Sequence, residues 1–159
     1  MCKFYSAIIL QSGEILHDIH TSSHEDLIDL YDLKDNGKSF AKLEYTSDNL
    51  MDLSTYKLEV DENIKPEWLT DLMLEKAENK LHQIVKKRII TEDRKLLIGG
   101  IYVVAEGVKI GSVKNAVIEV IKNSTVNEMW ENSTVNRMLG NSTVNRMWEN
   151  SKAPKPPKQ

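Results

Sequence analysis

The sequence has little cysteine, and it lacks a long apolar run. Cys2 is the only cysteine among 159 residues, so an internal disulfide is excluded and a reducing compartment such as the cytosol is expected. No stretch approaches the roughly 20 apolar residues that a membrane-spanning helix needs. The opening MCKFYSAIIL has one lysine, and no small-residue cleavage site follows its short apolar run. We therefore interpret it as a first strand and not as a signal peptide.

The sequence also lacks an excess of positive charge. Lysine and arginine together number 21 against 24 acidic residues, for a net charge of −3. No overall basic field therefore attracts nucleic acid or membrane phosphate. The basic run Lys86-Lys87-Arg88 is interpreted as the cationic end of a helix, where the helix dipole favours positive charge. We expect neither a nucleic-acid partner nor a membrane partner.

Residues 1–110 have the pattern of an α+β domain with a mainly antiparallel sheet. A turn at residues 11–14 separates two apolar runs and predicts a hairpin. Ser23 is a predicted N-cap, and Asp26 stands three residues later, as in a capping box. Strands are predicted at residues 3–10, 15–20, 39–46 and 56–60.

A second helix is predicted from Pro66 to about Ile89. Proline suits the first helical position, and apolar residues recur at spacings of three and four to form one face. The following KLLIGGIYVVAEG has the pattern of buried strands. The apolar face comprises Leu69, Leu72, Met73, Ala77, Leu81, Ile84 and Val85.

From Lys114 onward the sequence repeats with a period of nine residues. The segment KNAVIEVIK (114–122) resembles a degenerate first copy, with Val117 and Val120 in its apolar positions. This gives about four copies in all. The period is marked by Asn123, Asn132, Asn141 and Asn150, by Val126, Val135 and Val144, and by Met129, Met138 and Met147.

This period excludes a straight helix and a straight strand with one constant apolar face. Nine helical residues rotate by about 900°, which is half a turn out of phase, and an odd period reverses the face of a strand at every copy. Each copy must therefore contain a turn, with asparagine, serine and Gly140 at the corners. We predict a short β-solenoid over residues 111–151, with valine and methionine facing inward. The period is similar to that of calcium-binding nonapeptides, but their aspartate ligand is missing and no calcium is expected.

If two copies form one coil, four copies form only about two coils, fewer than usually stand alone. The repeat is therefore expected to pack on the α+β domain or to form a homo-oligomer, since the end of a solenoid is an open strand edge. Tandem duplication of the gene explains the near identity of the copies equally well. The predicted interaction residues are Val126, Met129, Trp130, Val135, Met138, Leu139, Val144, Met147 and Trp148. Two outward ladders, Thr125, Thr134 and Thr143 with Asn127, Asn136 and Asn145, are a second candidate surface for an ordered ligand or for each other.

Two other groups of residues have candidate chemistry. His17, His20 and His24 lie near Glu25 and Asp26, but their spacing favours solvent-exposed histidines, and we expect no metal and no cofactor. Cys2 would be a nucleophile only if Met1 were removed, as in N-terminal-nucleophile amidohydrolases. An incidental cysteine is favoured over that enzyme. Residues 152–159 are predicted to be a disordered tail rich in lysine and proline.

Three segments carry a resemblance: MCKFYSAI, DRKLLIGG and the NSTVNxM units. Together they resemble uncharacterised proteins of bacteria and their phages, which have a small N-terminal domain and a tail of S-x-V-x-x-M repeats. The resemblance implies a location in the bacterial or phage-infected cytosol and implies no activity. We expect a non-enzymatic binding or assembly protein. A phage-encoded inhibitor, or a sponge for a small ligand of a host defence system, is the alternative.

Overall fold

The structure is a computed structural model that describes residues 4–155. The chain divides into two compact units between Lys86 and Lys87. The predicted class is confirmed, because an antiparallel sheet with two helices is followed by a parallel β-solenoid. Cys2 and residues 156–159 lie outside the described residues, as do the predictions made for them. Lys152, at the start of the predicted tail, forms a β-bridge with Thr134.

The first unit is a four-stranded antiparallel sheet with a helix on each face. Leu27 clusters with Ile8 and Phe40 on one face, whereas the Tyr45 hydroxyl lies 2.9 Å from His82 Nδ1 on the other. Phe40 and Tyr45 differ in parity on one strand, so their side chains point to opposite faces. The elements are β1 (Ser6–Leu10), β2 (Ile15–Leu16), α1 (His24–Leu30), β3 (Phe40–Thr46), β4 (Lys57–Val60) and α2 (Asp71–Lys86), with strand order β2-β1-β3-β4.

The second strand is shorter than the predicted run 15–20, and Asp18 supplies the reason. Its Oδ1 accepts a hydrogen bond from the backbone N–H of His20 at 2.7 Å, which closes a local turn that competes with strand pairing. In addition, the Tyr5 hydroxyl donates to the carbonyl oxygen of Asp18 at 2.8 Å. His17 and His20 therefore follow the strand and do not lie on it.

Both helices have side-chain caps. Ser23 is the N-cap of α1 and accepts from the N–H of Asp26, as predicted. α2 begins at Asp71 and not at Pro66, because Thr70 Oγ1 accepts from the N–H of Met73 at 3.2 Å and defines the helix start. Neither helix in the described part of the chain is long and apolar enough to cross a membrane.

The second unit is a solenoid of parallel strands that alternate between two sheets. Each coil contributes one strand to each sheet, so four strands per sheet give about four coils. The strands are β5 (Ile89–Ile90), β6 (Arg94–Ile98), β7 (Ile101–Val104), β8 (Lys109–Lys114), β9 (Val117–Lys122), β10 (Thr125–Trp130), β11 (Thr134–Leu139) and β12 (Thr143–Met147). The sheet orders are β12-β10-β8-β6 and β11-β9-β7-β5.

The coils lengthen along the chain, which explains where the nine-residue period becomes visible. The coil that pairs Ile89 with Val103 is much shorter than two nonapeptides. In contrast, the coil that pairs Thr125 with Thr143 has the length of two complete copies. Parallel strands therefore begin well before residue 111, the predicted start of the solenoid. The prediction missed these strands because the shorter coils do not display the nine-residue period.

The predicted alignment of the first copy is wrong by one residue. Val135 pairs with Ile118, and Met138 pairs with Ile121, so these isoleucines occupy the positions that were assigned to Val117 and Val120. The coil at this point is one residue shorter than two nonapeptides. The missing residue shifts the inward positions by one.

The solenoid has one continuous buried core that runs through repeat and non-repeat coils alike. Ile110, Ile118 and Ile121 are fully buried in the same cluster as Val126 and Met129. The expectation of only about two coils is thus wrong. The nonapeptide coils complete a stack that residues 89–122 have already begun.

Serine closes the corners of the repeat. The hydroxyls of Ser133 and Ser142 are buried and donate to the carbonyl oxygen three residues earlier, at 2.6 Å each. Ser151 repeats this contact with the carbonyl oxygen of Trp148 at 2.7 Å. A buried hydroxyl needs such a partner, so the serine of N-S-T has a defined structural role.

A left-handed residue precedes the asparagine at each of the last three corners. Glu131, Gly140 and Glu149 have φ values of 58°, 60° and 56°. A Cβ on Gly140 would collide with Asn123 Oδ1, an atom that accepts from the N–H of Asn141 at 2.9 Å. The other two corners have glutamate at this position. Glycine stands at the corner where Asn123 occupies the space that a side chain would need.

Gly140→Ala is expected to destabilise the solenoid by about 1–3 kcal/mol, since alanine is strained at positive φ and displaces Asn123. Glu149→Gly is the matched control at the same corner one copy later, and it is expected to be neutral or to stabilise by up to about 1 kcal/mol. Urea denaturation of both variants measures the difference. Equal effects on the free energy of unfolding would contradict this account of Gly140.

Candidate interaction surface on the last coil

β12 lies at the edge of its sheet. It pairs with β10 on one side and has no second neighbouring strand among residues 4–155. The outer backbone groups of such a strand are available to another chain. We call the residues from Thr143 to Trp148 the terminal strand surface.

Apolar side chains are exposed on the terminal strand surface. Met147 is 50% exposed and Trp148 is 44% exposed, whereas Met129, one coil earlier, is fully buried. Val144 is half-buried. The last coil thus exposes side chains that a following coil would cover.

Like residues contact each other between β10 and β12. The indole rings of Trp130 and Trp148 are stacked, with centroids 5.2 Å apart and planes at 18°. Such aromatic stacking contributes stability beyond that from the burial of apolar area. In the same register, the Thr143 hydroxyl donates a hydrogen bond to the Thr125 hydroxyl at 3.3 Å, and the Asn145 amide donates to Asn127 Oδ1 at 3.0 Å.

Ion pairs and hydrogen bonds also connect successive coils on the outside of the solenoid. Hydrogen bonding from the Asn123 amide, followed by the Lys122 ammonium, lowers the pKa of the Glu106 carboxyl. The Glu131 carboxylate lies 2.9 Å from Lys114 Nζ and raises the pKa of that ammonium. On the terminal strand surface, Arg146 lies 3.5 Å from Glu128.

The edge of the second sheet is partly covered. The backbone carbonyl oxygen of Lys152 accepts from the N–H of Val135 at 2.8 Å, and the backbone N–H of Lys152 donates to the carbonyl oxygen of Ser133 at 2.9 Å. Leu139 at the end of β11 is 42% exposed. The two edges of the last coil are therefore unequal, and β12 is the more open one.

Several predicted interaction residues are interior. Val126, Met129, Val135 and Met138 are buried, so they stack one coil on the next and do not reach a partner. The inward orientation predicted for valine and methionine accounts for this. Trp130 is half-buried beneath Trp148. The predicted residues that stay accessible are Leu139, Val144, Met147 and Trp148.

The two predicted ladders do not form single rows. Successive nonapeptides lie in different sheets, so Thr134 and Asn136 are separated from the threonine and asparagine pairs of β10 and β12. The Asn136 amide instead donates to Glu119 Oε1 at 3.1 Å. These polar groups largely satisfy one another between neighbouring coils of the same sheet.

His24 differs from its predicted exposure. It is buried, and its Nε2 donates to the carbonyl oxygen of Leu43 at 2.9 Å. His20 is exposed and His17 is half-buried. Carboxylate oxygens of Glu44 and Asp61 lie within 4.8 Å of a ring nitrogen of His24. No sequence signal identified this group, because strand pairing brings its members together from distant positions.

No protein-family model, curated protein or solved structure matches the chain. No residue role is therefore transferred from a relative.

Proposed function

We propose that the protein is a non-enzymatic assembly protein whose terminal strand surface joins two copies of the chain edge to edge. The observation that supports this most is that the outer edge of β12 has no partner strand among residues 4–155, while Met147 and Trp148 are exposed beside it. Strand addition supplies affinity through main-chain hydrogen bonds, and the apolar side chains add buried area.

A second copy is the partner whose chemistry fits this edge. β10 already packs on β12 through threonine, asparagine and tryptophan pairs of the same kind. A second β12 presents the same types of side chain, in antiparallel order and not in the parallel register of β10. Two such edges related by a two-fold axis form a closed dimer, which is the commonest symmetric assembly.

The charges near the edge are compatible with this arrangement. Arg146 lies on β12 and Glu149 follows it, so antiparallel copies can bring opposite charges together. Opposite charges across an interface favour the correct register. The net charge of −3 per chain is small and opposes dimerisation weakly.

Native mass spectrometry of the full-length chain purified from cells tests this function. We expect a mass of twice the 18.2 kDa chain, with no additional organic ligand. A monomer that retains one small organic ligand per chain would contradict assembly and support a ligand sponge. A monomer without a ligand would contradict both functions.

A further inference from the structure

The first unit brings together three side chains of types that bind metals, each from a separate element. His24 begins α1, Glu44 lies in the middle of β3, and Asp61 follows β4. One donor atom from each residue lies within 4.8 Å of the other two. An imidazole nitrogen with two carboxylates is a ligand set that suits divalent transition metals.

The backbone fixes the orientation of the imidazole. A carbonyl oxygen only accepts, so the 2.9 Å contact with Leu43 requires a proton on His24 Nε2. Nδ1 then faces Asp61 Oδ2 at 3.4 Å. Histidines that bind metals commonly donate their second N–H to a backbone carbonyl in this way.

The distance from Nδ1 to Asp61 Oδ2 also suits two ligands of one shared cation. A charged N–H···O hydrogen bond is about 2.7–2.9 Å long. Two ligands on one tetrahedral zinc ion, each about 2.0–2.2 Å from the metal, are separated by about 3.4 Å. The observed 3.4 Å matches the second value.

The group also combines a buried interior with an opening to solvent. Glu44 is 7% exposed and pairs with Ser6 on β1. The Asp61 side chain, in contrast, is 56% exposed. An ion can therefore enter past Asp61, and water can complete its coordination.

We propose that His24 Nδ1, Glu44 and Asp61 bind one divalent transition-metal ion of the zinc class. The ion connects the start of α1 to β3 and to the segment after β4. This departs from the expectation of no metal, which considered His17, His20 and His24 together. The site lies in the first unit and is independent of self-association through the terminal strand surface.

Titration of chelator-treated full-length protein with Zn²⁺ by calorimetry tests the site, with Co²⁺ absorption as a second readout. We expect one ion per chain, and at least a roughly tenfold rise in Kd for Asp61→Asn and Glu44→Gln. His20→Gln and Glu25→Gln are matched controls because they alter exposed groups near His24 in sequence. Both controls are expected to bind like the unmodified chain.

Asp61→Asn keeps the test decisive even if variants at buried His24 or Glu44 fail to fold. Absence of saturable binding at one equivalent would overturn the proposal and leave only the direct contact between His24 and Asp61. Binding that survives Asp61→Asn but is lost with His20→Gln would overturn it in favour of a surface histidine site.

Discussion

Met129→Ala is expected to lower the free energy of unfolding of the solenoid by about 2–5 kcal/mol. Met129 is fully buried in the core that extends through the coils, and its truncation leaves a cavity in that core. Met147 occupies the same position one coil later and is 50% exposed. Met147→Ala is therefore the matched control, with an expected effect below about 1 kcal/mol.

Tryptophan fluorescence during urea denaturation measures this difference. Trp130 and Trp148 report on the solenoid, and Trp68→Phe removes the signal of the first unit. Separate signals are needed because two units need not unfold together. Equal losses in the free energy of unfolding for the two methionine variants would contradict a solenoid in which two nonapeptides form one coil, with Met129 buried between coils and Met147 at the open end.

Met147→Lys is expected to weaken dimerisation by at least about 100-fold. A lysine on an edge strand opposes strand addition, and a two-fold axis brings the two added charges close together, where repulsion costs several kcal/mol. The half-exposed position allows the charge to remain in water in the monomer. Sedimentation velocity over a range of protein concentrations measures the change.

Ile98→Lys is the control for this variant. Ile98 is 60% exposed on β6, which forms the opposite edge of the same sheet. We expect it to dimerise like the unmodified chain. If Ile98→Lys also produced monomers, the result would indicate that the β12 edge of one copy joins the β6 edge of the next. Unchanged dimers for both variants would place the interface elsewhere in the protein.

The sequence was informative where local pattern determines structure. An odd period of nine requires a turn in each copy, and that constraint alone predicted the solenoid and its inward Val126 and Met129. Ser23 was recognisable as a cap because its partner is only three residues away. Gly140 was recognisable at a corner, although the contact with Asn123 that requires glycine was not.

Features that depend on distant residues were not predictable. The first coils are all shorter than two nonapeptides, and their length is not constant, so no fixed period identified Ile118 and Ile121 as the inward pair. His24 is buried because β3 lies against the start of α1. Pairing between β3 and β4 brings Glu44 near Asp61, and spacing along the chain does not reveal this.

Amide hydrogen exchange of the terminal strand surface tests the central claim most directly. We predict that exchange in residues 143–148 of the full-length chain slows as protein concentration rises through the dimerisation range, and that Met147→Lys abolishes this slowing. The outer amides of β12 would then be protected by a second copy. A dimer whose residues 143–148 exchange at the monomer rate would contradict the proposed edge-to-edge assembly.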